Sequence, residues 1–312
     1  MCRSLLIFLW LVLFSFFSSA DEPKEKSFEL LNGDRVLFLG NSFFERALEY
    51  GYIETAIALS FPDRDITFRN VGWDGDTVFG HSRTGGRRRA VFGDVEEGFQ
   101  KMVEHVRRLK PSVIFLAYGA NESFAGLGGV DNFKKGLQDL IEALGDGAKV
   151  RFVFISPLPV SPKFLPDPSY LKERNASLMA YSKVLSTVAS KLRYPFVDLL
   201  GPLVNTEFTT NGLHPNGNGY RLIAEEVTDQ LNLPSARIKL TSSKSEELRL
   251  TIIKKNLLYF HRWRPRNDAF VYGERKNEQK IAQTEPAQFE PFILKKESRI
   301  REILKTITSE TK

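Results

Sequence analysis

The sequence predicts an α/β fold: a three-layer α/β/α sandwich around a five-stranded parallel sheet, followed by a mainly helical or irregular C-terminal extension. Three observations lead there. Short apolar runs rich in β-branched and aromatic residues recur between positions 36 and 199, the pattern of strands buried on both faces. Amphipathic stretches of helical length separate them, and that alternation favours parallel strands joined by crossover helices. Polar segments carrying glycine follow the first three runs, where such a sheet opens a ligand crevice at the carboxyl ends of its strands.

Taken in order, the strands read as Val36 to Leu39, Ile66 to Val71, Val113 to Ala117, Phe152 to Ile155 and Phe196 to Leu199. Helices are expected near Phe44 to Ser60, Glu96 to Leu109, Asp131 to Leu144, Tyr170 to Lys191 and Gly219 to Leu231. Ser82 to Gly93, with Gly85-Gly86 and Arg87-Arg88-Arg89, reads as a polar loop overhanging the crevice. Leu158 to Pro168 reads as a stiff loop dense in proline. Beyond Leu240 the alternation stops. A helix from Glu246 to Leu258, an irregular stretch from Tyr259 to Pro291 and a charged helix from Pro291 to Thr308 are expected there.

Residues 1–20 have the form of a signal peptide. Arg3 supplies the positive start, Leu5 to Phe17 the apolar stretch, and Ser18-Ser19-Ala20 the small-residue cleavage site before Asp21. The apolar stretch is shorter than the roughly 20 residues that span a bilayer. The expectation is export with no stable membrane insertion after cleavage, a hydrolase-like domain over 21–239 and an extension over 240–312 packing on it. The single cysteine, Cys2, falls inside the leader, which leaves no disulfide or thiol nucleophile in the remainder. The net charge of +6 comes from 240–312, where 16 Lys and Arg stand against 10 Asp and Glu. Such an excess suits an acidic glycan, a membrane surface or nucleic acid, or is simply a solvated face; a solvated face is expected here, and no nucleic-acid partner.

Four segments carry chemistry. In Gly40-Asn41-Ser42-Phe43 a serine stands between a strand and a helix, where free backbone N–H groups favour developing negative charge. The same residue type also serves as a plain helix cap. In Asn70-Val71-Gly72-Trp73-Asp74-Gly75-Asp76-Thr77 the glycine at 75 lets the backbone approach an oxyanion, or simply turns the chain. In Tyr118-Gly119-Ala120-Asn121-Glu122 the Asn121 amide is a further donor, or a loop cap. In Asn211-Gly212-Leu213-His214-Pro215 an imidazole is held in a tight loop, where it can take a serine proton and return it to a leaving alcohol. Of the other three histidines, His105 reads as a helix-surface residue, His261 as part of an aromatic cluster, and His81 as a group near the second loop within reach of substrate. No metal-ligand spacing or phosphate loop is present, so neither metal nor cofactor is expected.

In order and spacing these segments resemble the four blocks of the SGNH or GDSL hydrolases, esterases and lipases with a flavodoxin-like fold. The resemblance covers roughly Asp34 to Leu233. It implies Ser42 as nucleophile, His214 as base, and an oxyanion hole made by Ser42, Gly75 and Asn121. Asn41, His81, Glu122 and Trp263 become candidate substrate contacts. Two departures stand out: Gly-Asn-Ser-Phe replaces Gly-Asp-Ser-Leu, and Asn211 stands where the family has the aspartate that orients the histidine. In a serine protease, loss of that carboxylate costs about ten-thousandfold in rate. An asparagine can accept the imidazole N–H but brings no charge. Asp198, at the end of the fifth strand, is a replacement carboxylate to consider, or a turn residue.

The expected activity is hydrolysis of a small acyl ester, such as an O-acetyl group on carbohydrate, outside the cytoplasm. The aromatic and arginine-rich segment Leu257 to Pro265, with Tyr272 and Phe289 beyond it, either stacks on sugar or docks the extension onto the sandwich. A catalytically weak or inactive glycan-binding protein is the alternative that Asn211 supports, and a lysophospholipase or lipase is the third.

Overall fold

The computed structural model describes residues 28–83, 95–145, 149–161, 167–203, 208–234, 240–265, 267–271 and 275–310. The leader, Arg87-Arg88-Arg89, the middle of the proline-dense loop and Tyr272 lie outside the described residues. Strand β1 (Arg35–Gly40) sets the layering. Val36 and Phe38 enter one apolar layer, while Leu37 and Leu39 enter the other, as the two-residue period of a strand requires. Helices α1 (Ser42–Tyr50) and α2 (Tyr52–Ser60) replace the single helix expected from Phe44 to Ser60. Gly51 divides them: at φ 69° it ends α1 with its N–H on the Ala47 carbonyl, a left-handed position that glycine occupies without strain.

The chain continues through β2 (Thr67–Asn70), α3 (Val95–Leu109), β3 (Val113–Ala117), α4 (Val130–Gly145), β4 (Arg151–Ile155) and α5 (Pro168–Leu192). It then runs through β5 (Phe196–Val197), α6 (Leu200–Leu203) and α7 (Gly217–Gln230). The five strands are parallel in the order β2-β1-β3-β4-β5. Residues from α1, α2 and α7 fill one layer and residues from α3, α4 and α5 the other. The fifth strand stops two residues earlier than expected because the Asp198 carboxylate turns back to accept the Leu200 N–H at 3.0 Å, capping α6.

Helices α8 (Ser243–Trp263), α9 (Asp268–Val271) and α10 (Glu290–Glu310) form the C-terminal region. The first runs through Trp263, so the expected irregular stretch from Tyr259 begins as its last turn. Its Leu248 and Ile252 join the layer of α1, α2 and α7. A polar contact ties it to the sheet edge: the buried Lys255 Nζ donates to Glu54 on α2 and, at 3.1 Å, to the Phe68 carbonyl on the edge strand β2. Asn256 donates to the same glutamate at 3.0 Å. Edge carbonyls need a partner when covered, and this lysine supplies one. Replacing Lys255 with Met leaves the Glu54 charge buried without its cation, so urea denaturation should show a loss of about 3–5 kcal/mol. A loss below about 0.5 kcal/mol, typical of a neutral surface change, would contradict the assignment.

Candidate active site

Asn41 caps α1, its Oδ1 accepting the Phe43 N–H at 3.0 Å. Ser42 is therefore the first helical residue, set at the carboxyl end of β1 with its own N–H among those a helix start leaves unpaired. The loop after β2 comes up beside it. Ser42 Oγ donates to Asp74 Oδ1, and the Gly75 N–H points to Ser42 Oγ at 3.3 Å. Gly75 adopts φ 73°, which a side chain would disfavour. Close passage of the loop under α1 depends on Gly72, where a Cβ would lie 2.4 Å from the Glu45 backbone nitrogen.

Asp76 pins this loop from below. Wholly buried, it pairs with Arg83 Nε at 2.7 Å and accepts the Tyr118 hydroxyl at 3.1 Å and the Ser82 N–H at 3.2 Å. Arg83 also donates to the Val71 carbonyl at 2.8 Å, closing the loop on itself. The Asp76 backbone carbonyl receives the Asn121 side-chain amide at 2.8 Å, leaving that amide its second N–H. Glu122 joins the two loops, accepting the Val78 and Gly119 N–H groups at 2.8 Å each. Burial raises its pKa to about 7, and the Asp76 charge adds to the rise.

The imidazole arrives on the segment before α7. The Tyr220 hydroxyl donates to the Phe43 carbonyl at 2.7 Å, fastening α7 to α1. Asn211 Oδ1 accepts the backbone N–H groups of His214 at 2.9 Å and Leu213 at 3.2 Å. His214 Nδ1 lies 2.9 Å from Asn211 Nδ2 and 3.2 Å from Oδ1. With Oδ1 committed to two backbone donors, the shorter contact is an amide N–H given to Nδ1, and that arrangement puts the imidazole proton on Nε2. Burial lowers the His214 pKa; the Arg46 charge lowers it further and the Asp74 charge opposes them. Asp74 is hydrogen-bonded to Ser42 and acts on His214 through its charge, and the serine hydroxyl faces Asp74 rather than the imidazole.

The remaining expected residues divide. Asn41, 3% exposed, is a helix cap, and the partly exposed Glu122 is a tie between loops. Trp263 packs its ring against Trp73 at 5.6 Å and His105 at 4.9 Å, docking the end of α8 behind the Ser42 loop. His105 is thereby partly covered, and burial, with nearby arginine charges, pushes its pKa down to about 3. His261 sits in an aromatic cluster with Phe260 and Phe289. His81 remains exposed, its Nδ1 2.8 Å from the Thr77 hydroxyl. The sequence reading did not single out Asp74, Asp76 or Arg83. An acidic pair flanking Gly75 was visible, but its partners lie across the loop.

With a serine after β1 and polar loops after β2 and β3, this sheet has the arrangement of the SGNH-type carboxylic ester hydrolases. The chain belongs to the GDSL-like lipase/acylhydrolase family, whose model matches residues 38–222. Among solved structures, a catalytic mutant of Axe2, an acetylxylan esterase from Geobacillus stearothermophilus, superposes with a TM-score of 0.51 at 17% identity. That match covers 66% of this chain and 97% of Axe2. BT4096, a gut microbial diltiazem-metabolizing enzyme, gives a TM-score of 0.50 at 20% identity over 65% of this chain. This chain spans about half of it, 48%. No curated protein matches the chain.

Because the native protein holds a proton on Glu122 that the unfolded chain releases near pH 4.5, this group's contribution to stability is complete at low pH. It is lost as the pH rises to about 7. Urea stability should therefore fall more steeply across that interval in the wild type than in Glu122→Gln. Equal slopes would contradict the raised pKa.

Proposed function

We propose that this protein is an exported esterase that removes a small acyl group, an O-acetyl on carbohydrate being the leading case. Ser42 is the nucleophile and His214 the base, and the oxyanion is received by the N–H groups of Ser42 and Gly75 together with the Asn121 amide. The observation that carries this reading is the Gly75 N–H at 3.3 Å from Ser42 Oγ, with Asn121 held to the same loop through the Asp76 carbonyl. The Axe2 structure, from an acetylxylan esterase, supports the acyl class, and the leader-like residues 1–20 support export.

In the reaction the Ser42 hydroxyl turns from Asp74 to His214 Nε2, gives up its proton and attacks the ester carbon. The resulting oxyanion takes the N–H that Gly75 now gives to Oγ. His214 returns the proton to the leaving alcohol, and water repeats the sequence on the acyl-enzyme. Before the first transfer the imidazole proton must move to Nδ1, where Asn211 accepts it through Oδ1. Asp74 is the carboxylate that offsets the imidazolium charge, a task the family gives to the residue at 211. A catalytically weak glycan-binding protein is the second reading. The Asn211 amide N–H on His214 Nδ1 favours it, because that contact stabilises the tautomer unable to accept the serine proton at Nε2.

Hydrolysis of p-nitrophenyl acetate should fall at least about a thousandfold in Ser42→Ala. In Asn211→Asp, kcat should rise, since a carboxylate fixes the productive tautomer. Equal rates for wild type and Ser42→Ala would favour the binding protein. The base must be neutral and its pKa is lowered from 6.5, so kcat/KM should stay flat above that pH and decline only below it. Asp74→Asn should move the decline to still lower pH. A profile breaking above 6.5 would sink the role given to His214.

A further inference from the structure

Glu45, near the start of α1, receives two donors from outside its own helix. Its Oε2 accepts the Asp74 backbone N–H and, at 2.6 Å, Arg264 Nη1. Both side chains of this ion pair are largely shielded, 20% and 21% exposed. Arg264 caps the end of α8, its own N–H on the Phe260 carbonyl at 2.8 Å. Its guanidinium lies 4.2 Å from the centre of the Trp73 ring, whose edge meets Trp263. Trp73 also gives its N–H to the Gly40 carbonyl at 3.0 Å. The two residues that lead into Gly75 are thus gripped by α1 and by the C-terminal region together.

We propose that Arg264 is a positioning residue for the Ser42 site: through Glu45 it holds the Asp74 backbone, and with it the Gly75 N–H and the Asp74 carboxylate, in register with the nucleophile. The inference rests on the esterase reading. Arg264 does two things there. It keeps the Glu45 carboxylate turned toward the Asp74 N–H, against the tendency of a partly exposed glutamate to swing into water. It also neutralises a negative charge held on the N–H of Asp74, the residue next to the oxyanion donor Gly75, where an uncompensated carboxylate would oppose the charge developing in the transition state. Lysine can replace the charge but not the planar guanidinium that stacks on Trp73. Docking of α8 does not depend on this residue, because Leu248, Ile252 and Lys255 anchor the helix elsewhere.

The test uses the full chain and two readouts: steady-state hydrolysis of p-nitrophenyl acetate and hydrogen–deuterium exchange of the peptide spanning 73–76. In Arg264→Gln, kcat should fall about 10- to 100-fold, the cost of a misplaced reacting group, with KM changed less than about twofold. Exchange at 73–76 should quicken while 113–117 on β3 is unchanged. Arg264→Lys should recover part of the rate. Arg299→Gln, which removes an exposed arginine paired with Glu247 on α8, should match the wild type. An unchanged kcat, or a reduced kcat with unchanged exchange at 73–76, would overturn the proposal, as would loss of protection spread through the whole protein. If Ser42→Ala hydrolyses the ester as fast as the wild type, the esterase reading falls by itself. The exchange data then decide alone whether Arg264 tethers the loop.

Discussion

The buried ion pair between Asp76 and Arg83 is the constraint on which the site depends. A carboxylate taken wholly out of water must find donors for its lone pairs. Asp76 finds them in the Arg83 guanidinium, the Tyr118 hydroxyl and the Ser82 N–H. Once these are made, the chain from Val71 to Arg83 has one path available. Gly75 is set beside Ser42, and the Asp76 carbonyl is turned toward Asn121. The Gly75 N–H reaches the serine and the Asn121 amide is held to the same loop because a single buried acid organises both.

Charge is distributed unusually around that serine. The position before His214 that would carry an aspartate holds a neutral amide, and a carboxylate stands instead at Asp74, on the nucleophile's side. An anion there can steady an imidazolium, yet it also lies close to where an oxyanion would form. Arg46 and Arg264 are the cations nearby, one acting on His214 and the other paired with Glu45. The site balances its charges over α1, the loop after β2 and the end of α8, whereas a catalytic triad concentrates them in one line of hydrogen bonds.

The sheet was readable because burial on both faces makes a strand apolar throughout, as in Val113 to Ala117. The break at Gly51 was not, since the residues on either side keep a helical pattern and only the left-handed φ divides them. Helix α8 was read as ending at Leu258, although 259–263 continue it. Its buried face includes Lys255 and Asn256, polar residues that look solvent-facing until Glu54 and Phe68 are brought against them. Ser42, Gly75, Asn121 and His214 stand in local motifs, and the structure brings Gly75 to Ser42. Arg264 could not be read this way, for its partner Glu45 lies 219 positions away and neither residue belongs to a motif. His105 likewise has a surface-like helical setting and is partly covered by Trp263.

The central claim is that Ser42 is a nucleophile made reactive by the groups the fold gathers around it. Treating the full-length protein with an organophosphonate ester and mapping the adduct by mass spectrometry tests it most directly. A single stoichiometric modification on Ser42 is the predicted result; modification confined to another residue, or none at all, would contradict the account.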